Sequence, residues 1–131
     1  MPEPAKTPKT PPKRILVVDD EPTVADMIRM VLAMWGHKVE IAADGRAALA
    51  LFDPAKHDLV VTDYTMPGMN GLELAQAIRE RSPAKPIIMI TAHSNSITSD
   101  RRAHLDAVLG KPFQVQELEE TLARLFSTPQ V

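Results

Sequence analysis

The sequence predicts an α/β domain in which one open, five-stranded parallel sheet is wound with helices on both faces, a doubly wound (βα)5 arrangement. Five short aliphatic runs, rich in β-branched residues, alternate with segments whose apolar residues recur at helical spacing; that is the pattern of a parallel sheet covered on both sides. At 131 residues the chain suits one core and is too short for two ordinary domains. Hydrophobic residues at 44% and charged residues at 24% stand near the averages of globular proteins, against a disordered or fibrous class.

Residues 1–13 stand apart from this pattern. Pro2, Pro4, Pro8, Pro11 and Pro12 fall there beside Lys6 and Lys9, with no apolar periodicity, so 1–13 reads as an extended, flexible tail and 14–131 as the domain. Ile15, Leu16, Val17 and Val18 form a run too short for a helix, hence a buried central strand, which ends at Asp19, Asp20 and Glu21. Pro22 suits the first position of a helix that follows Val24, Ile28, Val31 and Trp35, and Gly36 is its stop. Residues 38–42 read as the second strand. Asp44-Gly45 is a turn that starts a short helix over 47–52, closed by Pro54. The third strand, 59–62, ends at Asp63; Pro67, Gly68 and Gly71 mark a loop before a helix on Leu72, Ala75 and Ile78. The fourth strand, 87–90, ends at Thr91. Residues 94–103 are polar, with Ile97 almost the only apolar side chain, and predict no well-packed helix. A weaker fifth strand, 107–109, ends at Lys111-Pro112, and a last helix sets Val115, Leu118, Leu122 and Leu125 on one face.

Crossovers in such a sheet are right-handed, so all five strand ends meet at one edge, where open parallel sheets build their sites. Reading the residues there gives Asp19, Asp20, Asp63, Thr91 and Lys111. Three carboxylates crowded together repel one another, and a hard divalent cation removes that cost; magnesium, which takes carboxylate and phosphate oxygens and keeps waters, fits an Asp-Asp pair facing a third Asp. A hydroxyl and an ammonium beside them suit phosphoryl transfer, where the protein chiefly positions groups and neutralises moving charge. Asp63 is then the nucleophile and phosphoacceptor, Lys111 and Thr91 bind phosphate oxygens, Asp20 ligates the metal and Asp19 helps through water.

Composition narrows the alternatives. Residues 1–14 hold four basic side chains and one acidic; of the chain's 15 and 17, that leaves 11 basic against 16 acidic, so the domain is acidic and ill-suited to direct nucleic-acid binding. The absence of cysteine rules out disulfides, thiolate metal sites and cysteine catalysis. No apolar run approaches a membrane span or a signal core, and a cytoplasmic location is the expectation.

The motifs Leu16-Val17-Val18-Asp19-Asp20-Glu21-Pro22, Asp63 through Gly71, Thr91-Ala92 and Lys111-Pro112-Phe113 resemble, in order and spacing, the receiver domains of two-component response regulators, over residues 14–127. The resemblance implies a flavodoxin-like, CheY-like sheet in the order 2-1-3-4-5, and phosphorylation of Asp63 by a histidine kinase or histidine phosphotransfer protein. It also implies a switched surface on the segment after strand four, strand five and the last helix, facing a downstream protein target or a phosphorylation-dependent dimer. By the same likeness the backbone carbonyl of Thr65 is a metal ligand and the Lys111-Pro112 bond is cis. Two departures touch the output route. Val108 stands where the family usually has an aromatic switch residue that swings inward when the threonine moves, and the polar 94–103 stretch is about two residues short of the family's pattern. His104 replaces a usual glycine.

Ordinary readings stand beside these. Asp19 and Asp20 are also good helix caps, and Lys111 before a proline is also an ordinary surface lysine. Met27, Met30 and Met34 lie at helical spacing; the plain reading is additional core, the sharper one a soft stripe that docks a kinase or phosphotransfer helix. His37, His57, His93 and His104 show no metal spacing and carry no assigned chemistry. A phosphatase of the haloacid dehalogenase kind would place its aspartate on the first strand with another two residues on, whereas Thr65 follows Asp63 at that spacing. A flavin or nucleotide binder would need a glycine-rich turn after the first strand. A degenerate receiver kept as a protein-binding scaffold is the remaining rival, supported by Val108 and the polar stretch. Only 127–131 follow Phe126, so the sequence reads as a stand-alone receiver or a piece of a hybrid kinase, and the initial Met and the tail favour the former.

Overall fold

The computed structural model describes residues 11–92 and 105–126. Five parallel strands, β1 (Arg14–Val18), β2 (Lys38–Ala42), β3 (Leu59–Asp63), β4 (Ile87–Thr91) and β5 (Ala107–Gly110), lie in the order β2-β1-β3-β4-β5. Four helices accompany them among the described residues: α1 (Pro22–Met34), α2 (Gly45–Leu51), α3 (Gly71–Arg81) and α4 (Val115–Phe126). The polar stretch 94–103 lies outside the described residues, as do His93 and His104.

Alternation along each strand divides the core into two layers. Ile15, Val17, Leu59, Val61, Ile88 and Ile90 pack with Ile28 and Leu32 of α1 and with Leu118 and Leu122 of α4. Leu16, Val18, Val60 and Ile87 face the other way, onto Ala48 of α2 and Leu74, Ala75 and Ile78 of α3. Both faces of the central strands β1, β3 and β4 are dry beyond Arg14, which is why these strands carry continuous aliphatic runs; each buried Leu or Ile contributes about 1.5–3 kcal/mol.

Local signals set the ends of the helices. Pro22 opens α1, and Gly36, at φ +93°, supplies the left-handed turn after it. The Asp44 side chain accepts the Ala47 N–H at the start of α2, and Asn70 and Glu73 form a reciprocal capping box on α3.

Packing differs from the sequence reading at four places. The stripe of α1 that is fully buried is Ala25, Ile28 and Leu32, while Val24, Val31 and Trp35 are only partly covered. Met27, Met30 and Met34 are not additional core: they are 46%, 54% and 76% exposed. Each follows a buried position by two residues, about 200° round the helix, and so points away from the sheet. In α3 Leu74 is fully buried while Leu72 is half-buried. Val115 is half-exposed because side chains on a helix lean toward its N-terminus, and the first residue has no preceding turn to lie over.

Lys13 is tied to the start of β2 and to the last helix. The Lys13 N–H donates to His37 Nδ1 (3.0 Å), its carbonyl accepts from the Lys38 N–H (2.9 Å), and its ammonium stands 4.6 Å from the centre of the Phe126 ring. Among the described residues no helix is long and apolar enough to cross a membrane.

Candidate functional site

The strand register brings the C-terminal ends of the strands to one edge, with Val18 opposite Thr62, Asp63 opposite Ile90 and Thr91 opposite Gly110. Asp19 directly follows β1, Asp63 and Thr91 close β3 and β4, and Lys111 directly follows β5. Oxygen atoms of Asp19, Asp20 and Asp63 lie within 4.8 Å of one another. Lys111 Nζ is 3.1 Å from Asp63 Oδ1 and 3.6 Å from Asp19 Oδ2. Asp19 and Asp63 are buried, at 3% and 7% exposure, and Asp20 is more open.

Backbone donors fix these carboxylates. Asp63 Oδ1 accepts the Tyr64 N–H (2.9 Å) and Asp19 Oδ1 accepts the Glu21 N–H (2.9 Å). Burial pushes the Asp19 carboxyl up from its ordinary value, and the Glu21 N–H and the Lys111 charge only partly offset this. For Lys111 burial acts downward, but the hydrogen bond to Asp63 and the charges of Asp19, Asp63 and Glu21 outweigh it, and the ammonium is held above its usual range. Lys111 is therefore a fixed cation and no ordinary surface lysine. Nor do Asp19 and Asp20 cap α1: the N-cap is Glu21, without a side-chain bond. The Lys111-Pro112 peptide is cis, and the Lys111 N–H donates to the Thr91 carbonyl (2.8 Å), tying the ends of β4 and β5 together.

Thr91 is buried at the same edge. Thr65, two residues beyond Asp63, is exposed on the loop that Gly71 closes by donating its N–H to the Tyr64 carbonyl (2.8 Å). Val108 is half-buried in β5 opposite Met89, below the edge itself, while Met27, Met30 and Met34 stand exposed on α1.

Two features escape a reading by motif. A Cβ on Gly71 would lie 2.4 Å from the Asp63 carbonyl oxygen, so this glycine is a packing requirement of the site and more than a loop marker. His57, 1% exposed, donates through Nε2 to Glu40 Oε1 (2.6 Å), outside every motif. No sequence signal reports the first, which depends on where α3 docks; a lone histidine between a lysine and an aspartate gives no hint of the second.

As a donor set, three carboxylates are hard oxygens, which fit magnesium, and the ammonium beside them fits an anion bound at the same place.

Comparison with known proteins agrees with this geometry. The family model for the response regulator receiver domain matches residues 15–123. The chain is 43% identical over 118 residues to the response regulator MprA of Mycolicibacterium vanbaalenii, covering 87% of this chain and 49% of that protein. It is 39% identical over 116 residues to the transcriptional regulatory protein TcrA of Mycobacterium tuberculosis, covering 86% and 45%. It thus spans about half the length of these curated relatives. Among solved structures, response regulator TrrA of Thermotoga maritima in complex with Mg(2+)-BeF superposes with a TM-score of 0.80 at 37% identity, covering 86% of this chain and 98% of that one. A complex of histidine kinase ThkA with TrrA matches with a TM-score of 0.80 at 37% identity, over 88% and 99%. The acidic cluster at the sheet edge, the sheet order and the matched span agree: this chain belongs to the response regulator receiver domains of two-component systems.

Proposed function

We propose that the chain is a magnesium-dependent phosphoacceptor that takes a phosphoryl group on Asp63 from a histidine kinase or a histidine phosphotransfer protein and thereby switches a protein-binding surface. The observation that carries this reading is the Lys111 ammonium set between the Asp63 and Asp19 carboxylates, with Asp20 alongside.

Asp19, Asp20, Asp63 and the carbonyl of Thr65 would hold magnesium, which when bound neutralises charge on the carboxylates and on the incoming phosphoryl oxygens. The chain's own residues do the rest. A carboxylate oxygen of Asp63 forms the new bond to phosphorus as the donor's bond to it breaks and the leaving group keeps those electrons. The Tyr64 N–H holds Oδ1 in place, and Lys111 is positioned to follow the charge from carboxylate to phosphate. The hydroxyl of Thr91 takes another phosphate oxygen. The product adds about −1.5 to −2 charges beside Thr91 and Lys111, drawing the loops after β4 and β5 toward it and altering the surface near Val108. On this reading the chain catalyses only its own phosphorylation and dephosphorylation, works in the cytoplasm through a downstream protein target or a phosphorylation-dependent dimer, and does not itself bind nucleic acid. Met27, Met30 and Met34 form the stripe on which the kinase or phosphotransfer helix docks.

Acetyl phosphate with magnesium, followed by intact mass, tests this: a phosphoryl adduct on the wild type that is absent from Asp63→Asn is expected. No adduct on the wild type would leave the degenerate scaffold as the better reading.

A further inference from the structure

A second concentration of charge lies at the opposite edge of the sheet, where the strands begin. A hollow of about 340 Å³ there is lined by Arg14 of β1, Lys38, Val39 and Glu40 of β2, and Lys56 and His57 from the loop before β3. Arg14 and Lys38 are register partners, so their side chains leave the same face of the sheet, and Glu40, two residues on, leaves it too. Arg14 begins β1 and Asp19 follows its end, so about 16 Å of strand separates this hollow from the acidic edge.

The floor of the hollow is rigid. His57 Nδ1 accepts the Asp53 N–H (3.1 Å), which leaves the ring proton on Nε2, where it is donated to Glu40 Oε1. Lys56 Nζ stands 3.1 Å from the same oxygen. Asp53 Oδ1 accepts the Ala55 N–H (2.9 Å), and the Lys85 ammonium donates to the Pro54 carbonyl (3.0 Å) and to that of His57. Glu40 is thereby answered by two partners, and its carboxyl is held below the usual range, first by the His57 bond and then by Lys56. Asp58, the other nearby carboxylate, accepts the Arg14 backbone N–H (2.9 Å). Among the described residues neither the Arg14 guanidinium nor the Lys38 ammonium has an ion-pair partner.

We propose that this hollow is a binding site for a small phosphate-bearing molecule. Three cations, Arg14, Lys38 and Lys56, outnumber the carboxylates of Glu40 and, beside Arg14, Asp58, so the hollow keeps a net positive charge suited to the about −1.5 to −2 of a phosphate monoester at neutral pH. Arginine's planar fork takes two oxyanion oxygens at once, and the lysines add point charges that a dianionic phosphate answers better than a single carboxylate. The volume stands at the lower end of the roughly 300–1,000 Å³ of small-ligand sites, leaving room for a carbon skeleton beside the phosphate. A loop already fixed by Lys85 and His57 costs little further ordering on binding.

The test is a titration without magnesium, at constant ionic strength, with inorganic phosphate and with glycerol phosphate, read by backbone amide shifts. Saturable shifts at Arg14, Lys38, Val39, Glu40 and Lys56 are expected, with tighter binding of the ester. Arg14→Gln and Lys38→Gln should each weaken binding about tenfold while leaving acetyl-phosphate labelling of Asp63 unchanged. Both side chains are exposed, so the folded spectrum should persist away from the hollow. Shifts that fail to saturate, that centre elsewhere, or that survive both substitutions overturn the proposal.

Discussion

The Lys111 ammonium spans two carboxylates, 3.1 Å from Asp63 Oδ1 and 3.6 Å from Asp19 Oδ2. With only 22% of its side chain exposed, this lysine serves as the resident counter-charge of the acidic edge. It occupies electrostatic ground that a divalent cation would share, and the two positive charges would oppose each other.

Lys111→Gln should therefore bind magnesium more tightly, by about tenfold, because one unit of repulsion is removed from the cluster. The same substitution should slow labelling of Asp63 by acetyl phosphate, since no cation then follows the charge onto the phosphate. Calorimetric titration with magnesium and time-resolved intact mass separate the two effects. Weaker magnesium binding would contradict the role given to Lys111.

Gly71→Ala should destabilise the fold by about 1–3 kcal/mol, because its Cβ meets the Asp63 carbonyl oxygen at 2.4 Å and backbone must move. Denaturant midpoints measure this. Since the atom displaced belongs to Asp63, labelling should also slow in the molecules that remain folded. Gly45→Ala meets the flexible Met69 side chain first and should cost less.

Met27→Lys with Met30→Lys should leave stability within about 0.5 kcal/mol, since both side chains are exposed. Labelling by acetyl phosphate should be unchanged, because no partner protein is involved. Transfer from a cognate kinase or phosphotransfer protein should slow. Unchanged transfer rates in the folded double variant would remove the docking role of this stripe.

His37 accepts the Lys13 N–H on Nδ1, and burial, then the Lys13 charge, hold its pKa below the usual 6.5. The unfolded chain therefore takes up more protons than the folded one just below that pH. Its contribution to stability is complete above 6.5 and is lost as pH falls from there through the folded pKa. Thermal melts of the wild type should show a steeper loss than His37→Gln from about pH 7 to about pH 5. Parallel curves would exclude this coupling.

Much of the site was legible in the sequence because it is built from strand ends. A short aliphatic run fixes a buried strand, the residue after it must lie at the sheet edge, and so Asp19, Asp63, Thr91 and Lys111 could be gathered from one-dimensional order alone. The Asp44-Gly45 turn likewise stands at the start of α2.

What the order of residues could not decide was which side of a helix is dry and which atoms meet across the core. Periodicity marks apolar residues without fixing the axis of burial, so Met27, Met30 and Met34 read as core until α1 settled on Ala25, Ile28 and Leu32. The contact of Gly71 with Asp63, the His57–Glu40 bond and the juxtaposition of Arg14 with Lys38 join segments separated along the chain. Local composition carries no record of such meetings. They follow from the register of the sheet and the seating of loops upon it, which only the packed structure establishes.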